Sequence, residues 1–214
     1  MFNLIIVGTG GLAAELTDYI ADNQKAITGY EFTIKGYLDI SDANHAKYKF
    51  TKPLLGSEKE YVPVEDDVFI VALGRHETNK KAIQTLRSKN ARFCNFIHHS
   101  SLVSRSATLG NGNIIAPFCT IGPNATIGSF NIVNCYSLIA HDCQVGDHNI
   151  FSPHNMITGN CTVGNDNFFG TSVTAYPKSA IGSKVKIQAG LVVKGELLDS
   201  CLYYSDRTYK SIQI

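Results

Sequence analysis

Residues 119–142 read CTIGPN ATIGSF NIVNCY SLIAHD, and in sixes the third place of every block is apolar: Ile121, Ile127, Val133 and Ile139. The register runs without a slip over sixteen positions from Val103 to Val193. Glycine follows this place at Gly110, Gly122, Gly128, Gly146, Gly164, Gly170 and Gly182, and a small or polar residue, such as Asn113, Cys119 or Ser137, stands two before it. A period of six matches neither the 3.6 of a helix nor the alternation of a strand. It is the signature of a hexapeptide β-solenoid, in which three hexads close one triangular coil. Residues eighteen apart therefore stack on neighbouring coils, and the stretch supplies about five coils.

The preceding residues, up to about position 97, carry no hexad and read as a small α/β unit. Leu4–Val7 is an apolar strand, Gly8-Thr9-Gly10-Gly11 a turn, and Leu12, Leu16, Tyr19 and Ile20 mark one face of a helix. Phe32–Leu38 gives a second strand ending at Asp39, and Val68–Leu73 a third before Gly74 and Arg75. Lys80–Lys89 is helical, and Phe93–Ile97 closes the sheet. Strands alternating with helices imply a parallel sheet. Ser41–Pro63 is polar and reads as an irregular excursion. The expected division is 1–97 for the α/β unit, 98–195 for the solenoid and 196–214 for a C-terminal cap or tail.

A net charge of +1 with 17% charged residues leaves no basic footprint for nucleic acid. No apolar run approaches the roughly twenty residues of a membrane span. The opening Met1-Phe2-Asn3-Leu4 lacks a basic segment and reads as a strand, so a cytoplasmic protein is expected. Six cysteines occur without a CxxC pair, and Cys143 and Cys161 lie eighteen apart. Stacked on adjacent coils they would come within disulfide range, but buried thiols acting as small hydrophobes are expected.

Gly8-Thr9-Gly10-Gly11-Leu12-Ala13 fits G-x-G-x-x-A between a strand and a helix. Its glycines (Gly8, Gly10, Gly11) let backbone approach a phosphate, and Asp39 is placed for a ribose hydroxyl. A unit this short lacks the second half of a dinucleotide fold, which favours a nucleotide or nucleotide sugar over NAD; a tight turn without ligand remains open. Between Val103 and Val193, past the His98-His99-Ser100 junction, only His141, His148 and His154 offer imidazoles. His141 falls at a coil corner beside Asp142, with Gly159 one coil on. A base with a backbone N–H about 5 Å away is what acyl transfer needs. An exposed corner histidine is the plain alternative. His148 and His154 belong to separate corners, and only across a subunit interface would they resemble a zinc-dependent solenoid carbonic anhydrase; no metal is expected.

The strand–glycine-turn opening, Phe96-Ile97-His98 and the hexads together resemble the hexapeptide-repeat acyltransferases with a small N-terminal Rossmann-like domain. That branch contains sialic acid O-acetyltransferases and N-acetyltransferases of nucleotide-linked 4-amino sugars. The resemblance implies a left-handed parallel β-helix, acetyl-CoA as co-substrate, a homotrimer and a nucleotide-sugar acceptor. It maps the general base onto His141, its acidic neighbour onto Asp142 and the amide facing the acetyl carbonyl onto Gly159. Cofactor positions fall at Gly159, Gly170, Thr171, Ala189 and Gly190. The sugar-nucleotide side falls at Gly8, Gly10, Gly11, Asp39, Gly74 and Arg75. The chain departs from its relatives at Leu12 and Ile150, where several carry histidine, and near Asn79, where a basic residue is common. The expected function is N-acetylation of the 4-amino group of a nucleotide-linked 4-amino-4,6-dideoxy sugar. O-acetylation of a sialic acid and a non-catalytic assembly module are the rivals.

Overall fold

The computed structural model of the protein describes residues 2–22 and 32–205. Its N-terminal unit is a four-stranded parallel sheet of β1 (Phe2–Val7), β2 (Phe32–Leu38), β3 (Asp67–Val71) and β4 (Arg92–Phe93), in the order β2-β1-β3-β4. Leu4 and Ile6 share a core with Ala13, Leu16 and Ile20 of α1 (Gly11–Asp22). Ile5 and Val7 share another with Ala82, Ile83 and Leu86 of α3 (His76–Arg87). Helices on both faces explain why β1 is apolar without alternation from Leu4 to Val7.

Three expectations need adjusting. The polar excursion contains a short helix, α2 (Ala43–Lys47), and a bridge from Leu54 to Tyr37. The helix expected from Lys80 starts at His76, because its first turn is polar and its buried stripe begins only at Asn79. Phe96–Ile97 does not close the first sheet: it pairs with Ile114–Ile115 as the first solenoid strand, β5, and Arg92–Phe93 forms the sheet edge.

From β5 to β23 (Leu202–Tyr203) the chain winds through two-residue parallel strands that form three walls. The first wall has seven strands, starting at Phe96–Ile97. The second has six, starting at Leu102–Val103, and the third has six, starting at Thr108–Leu109. Inward residues from Ile115 to Leu197 make one continuous core. A ladder of buried asparagines runs up the entry to the first wall, each side chain accepting from the backbone one coil on. Asn131 N donates to Asn113 Oδ1 at 2.8 Å, Asn149 N to Asn131 Oδ1 at 2.8 Å, and Asn167 N to Asn149 Oδ1 at 3.0 Å. Cys143 and Cys161 are free, buried thiols facing the carbonyls of Thr158 and Tyr176 at 3.1 Å.

The coil does not stop at Val193. Glu196–Leu197 pairs with Ala180–Ile181, and Leu202–Tyr203 with Lys186–Ile187, each sixteen residues apart. Two residues are missing from that corner, which throws the last turn out of the hexad. The N-terminal unit sits on the first wall, whose outward Ile114, Ile132 and Ile150 join the α1 core. At the corner between the third and first walls, Asp166 Oδ1 accepts from Lys80 Nζ at 2.7 Å and lies 3.0 Å from His76 Nε2, tying α3 down. Among the described residues no helix is long and apolar enough to cross a membrane.

Candidate active site

His141 stands at the corner between the second and third walls, where the chain turns through Ala140-His141-Asp142. Asp142 has a left-handed backbone (φ 57°), as do Asn124 (58°), Asn160 (61°) and Lys178 (66°) in the same column. Asn and Asp tolerate this conformation better than most residues. Each such turn is tied to the next coil: Asp142 N donates to Pro123 O at 2.9 Å and Asn160 N to His141 O at 3.0 Å. The left-handed turn lets consecutive side chains meet, and His141 Nδ1 lies 2.8 Å from Asp142 Oδ2. Asn124 Nδ2 donates to Asp142 Oδ1 at 3.2 Å. The bond to His141, and next the one to Asn124, hold the Asp142 carboxyl below its usual range. An ionised Asp142 accepts the Nδ1 proton, leaving Nε2 as the basic edge.

That edge packs on Gly159. A Cβ there would fall 2.6 Å from His141 Cε1 and Nε2, so only glycine leaves room for the ring. Gly122 is held small from below, because its Cβ would lie 2.6 Å from His141 N. Gly159 O accepts from Lys178 N at 3.1 Å, while no hydrogen bond among the described residues is donated by Gly159 N–H. The imidazole is 58% exposed. A base, its carboxylate partner and a free backbone donor therefore share one accessible corner.

The residues expected to bind the nucleotide gather at the C-terminal edge of the first sheet, where parallel α/β sheets take ligands. Gly8 (φ 110°) is required by the fold, since its Cβ would lie 2.8 Å from Ala72 O. Gly10 and Gly74 are not: neither has a positive φ, and a Cβ on either meets nothing within 4 Å. Gly11 lies under Tyr48, whose hydroxyl would be 3.5 Å from its Cβ, and Arg75 precedes α3. Asp39 is already engaged. Its Oδ2 accepts from Thr9 N at 2.9 Å and Thr9 Oγ1 at 2.6 Å, and its Oδ1 from Ile40 N at 2.7 Å, so it fastens the glycine turn.

Of the expected cofactor positions only Gly159 is at the His141 corner; the other four occupy a different one, between the first and second walls. There Gly170 packs against Ala189, and Gly190 N donates to Thr171 O at 2.8 Å. One chain alone does not bring this corner to His141. A feature that pattern reading missed is a groove of about 1030 Å³ along the third wall, lined by Thr126, Gln144, Thr162, Ala180 and Glu196. Its signal was the succession of short or polar residues at the outward places of that wall.

The other histidines are separate. His148 stacks on Phe130 (5.3 Å between ring centres) and His154 on Tyr136 (5.0 Å). Burial lowers the His148 pKa and pushes the Cys94 thiol up to about 12 and Cys119 to about 11, away from thiolate chemistry. Ile150 and Leu12 pack into the core beneath the first wall. Asn79 is buried and donates to Leu73 O at 3.0 Å, bracing the loop that carries Gly74.

No protein-family model and no curated relative matches the sequence. Solved structures do match. PerB from Caulobacter crescentus, in complex with CoA and GDP-perosamine, superposes with a TM-score of 0.80 at 25% identity, over 94% of this chain and 93% of that one. The acetyltransferase domain of PglB from Neisseria gonorrhoeae gives 0.79 at 21% identity, over 94% and 96%. WeeI from Acinetobacter baumannii gives 0.80 at 18% identity, over 94% and 96%. The chain is a hexapeptide-repeat β-solenoid protein with an N-terminal α/β unit, of the architecture these solved structures share.

Proposed function

We propose that the protein is an acetyl-CoA-dependent N-acetyltransferase acting on the 4-amino group of a nucleotide-linked 4-amino-4,6-dideoxy sugar. The observation that carries the reading is the single exposed corner where His141 is bonded to Asp142 and packed on Gly159. The likeness to PerB, a perosamine N-acetyltransferase crystallised with CoA and GDP-perosamine, supports the substrate class.

In this mechanism the neutral sugar amine attacks the thioester carbonyl directly, and His141 Nε2 takes a proton from the nitrogen as the C–N bond forms. Asp142 holds the opposite ring edge and stabilises the imidazolium. The Gly159 N–H, which has no partner among the described residues, donates to the oxyanion of the tetrahedral intermediate. Collapse of the intermediate breaks the C–S bond and releases coenzyme A. The nucleotide lies over Gly10 and Gly74, the two glycines with open space where a side chain would stand. The working form is a homotrimer. Phe118 and Tyr136 stack in the open, each more than half exposed, beside Leu102, Met156 and Val192 of the second wall. Covering that surface with a second copy sets one copy's Gly170, Thr171, Ala189 and Gly190 beside the next copy's His141. The reaction is placed in the cytoplasm.

Thiol release from acetyl-CoA, measured against nucleotide-linked 4-amino sugars and free sialic acid, tests the reading. Amino-sugar turnover that collapses in His141→Ala is expected. Turnover of sialic acid alone moves the protein to O-acetylation, and no thiol release from any acceptor removes the enzyme assignment.

A further inference from the structure

Where α1 ends against the first solenoid coil, three side chains from two distant parts of the chain converge. Asp22 is the last described residue of α1, and His98 and His99 open the first corner of the coil. One ligand atom from each lies within 4.8 Å of the other two. His98 is almost wholly buried, with Tyr19 edge-on to its ring at 5.7 Å. Ser100 holds the Nδ1 edge: its N–H donates to Nδ1 at 3.2 Å and its Oγ lies 2.8 Å away, which fixes the ring plane and turns Nε2 toward Asp22. The two imidazoles lie 4.3 Å apart, centre to centre.

The separation of His98 Nε2 from Asp22 Oδ2, 3.6 Å, is too long for a good hydrogen bond. It is close to the spacing of two ligands on one tetrahedral ion, about 3.3 Å when each bond is about 2.0 Å. Two nitrogens and one carboxylate oxygen form the donor set that borderline metals such as zinc prefer. Asp22 and His99 are exposed, which leaves an approach for the ion and a fourth position for water.

We infer that Asp22, His98 and His99 form a binding site for one divalent transition metal of the zinc class, which clamps the end of α1 to the first coil. Ser100 N–H donates to Nδ1 in the structure, so coordination through Nε2 moves the ring proton to Nδ1, where Ser100 Oγ accepts it and the bond from Ser100 N–H is given up. The second ring nitrogen is thereby oriented by a neighbour, as in most histidine-ligated sites. The site is remote in sequence from the acyl-transfer corner and independent of the proposed reaction.

The test is titration of the full chain, first stripped of metal, with Zn²⁺ against a chromophoric chelator, and with Co²⁺ followed by visible absorption. One ion per chain and a rise in melting temperature are expected. His99→Ala and Asp22→Asn, both surface changes, should weaken binding at least about tenfold and abolish the melting shift. His141→Ala should bind like the native chain. No Zn²⁺ uptake by the native protein, or uptake unchanged in both Asp22 and His99 variants, overturns the site.

Discussion

Gly159→Ala isolates the placement of the base from its presence. The backbone at 159 does not have positive φ, so alanine is sterically acceptable to the main chain. The new methyl would begin 2.6 Å from His141 Nε2 and Cε1, and ordinary contact starts at 3.4 Å, so the ring must retreat by about 0.8 Å. The ring is mostly exposed and can move outward, so stability should change by less than about 1 kcal/mol. Catalysis should not survive as well. A displacement of about 1 Å costs on the order of 10²-fold in rate, or about 2.7 kcal/mol of barrier. Thiol release at saturating substrates, beside a thermal melt, gives both numbers. Because the methyl acts only through the imidazole, the Gly159→Ala, His141→Ala double variant should be no slower than His141→Ala alone. Near-native kcat with an intact fold, or full additivity in the double variant, would refute the geometry assigned to this corner.

Asp142→Asn should lower kcat at least about tenfold with little change in KM, since the imidazolium loses its partner. The Asp142 carboxyl is depressed, so its pairing is complete above the unfolded value near 3.9 and is lost only as pH falls through the lower folded value; a pH–rate profile should show no limb from this group above about pH 4. Asp166→Asn should cost about 1–2 kcal/mol in urea unfolding at pH 7 by releasing Lys80 and His76. Burial alone would raise the Asp166 pKa, but the bonds from Lys80 and His76 outweigh it, so this deficit should vanish as pH falls below about 4. Asn131→Ala leaves the buried Asn149 N–H without its acceptor and should cost about 1–3 kcal/mol by chemical denaturation. Light scattering should report a trimer near 70 kDa from chains of 23.3 kDa, and Tyr136→Glu should dissociate it.

The solenoid was legible because its core position is periodic. Ile121, Val133 and Ile139 can be placed inward from spacing alone, and stacking at eighteen residues puts Gly159 beside His141 on the sequence itself. The ends were not legible for local reasons. Phe96-Ile97 reads equally well as the last strand of an α/β sheet, and a corner shortened by two residues hides Leu197 and Tyr203 from a six-residue template. Contact between consecutive side chains, His141 and Asp142, depended on a left-handed turn that spacing does not encode. That Asp39 also fastens the glycine turn was not legible, because its partner is the hydroxyl of Thr9 within that turn. Asp22 lay beyond sequence reasoning altogether, since only the packing of α1 on the first coil carries it to His98.

The coil count has a metrical consequence. Each turn adds one strand spacing, about 4.8 Å, along the prism axis. The N-terminal unit lies against the first wall from Ile114 to Ile150 and is tied again at Asp166, so it is fixed to turns both below and above residue 141. An eighteen-residue insertion in phase with the hexads between Ile114 and Asp166 would add one rung to the prism and carry one of these anchors out of reach. The prism is a gauge whose graduations are whole turns, and the unit laid across it locks the reactive corner at one height above the glycine loop.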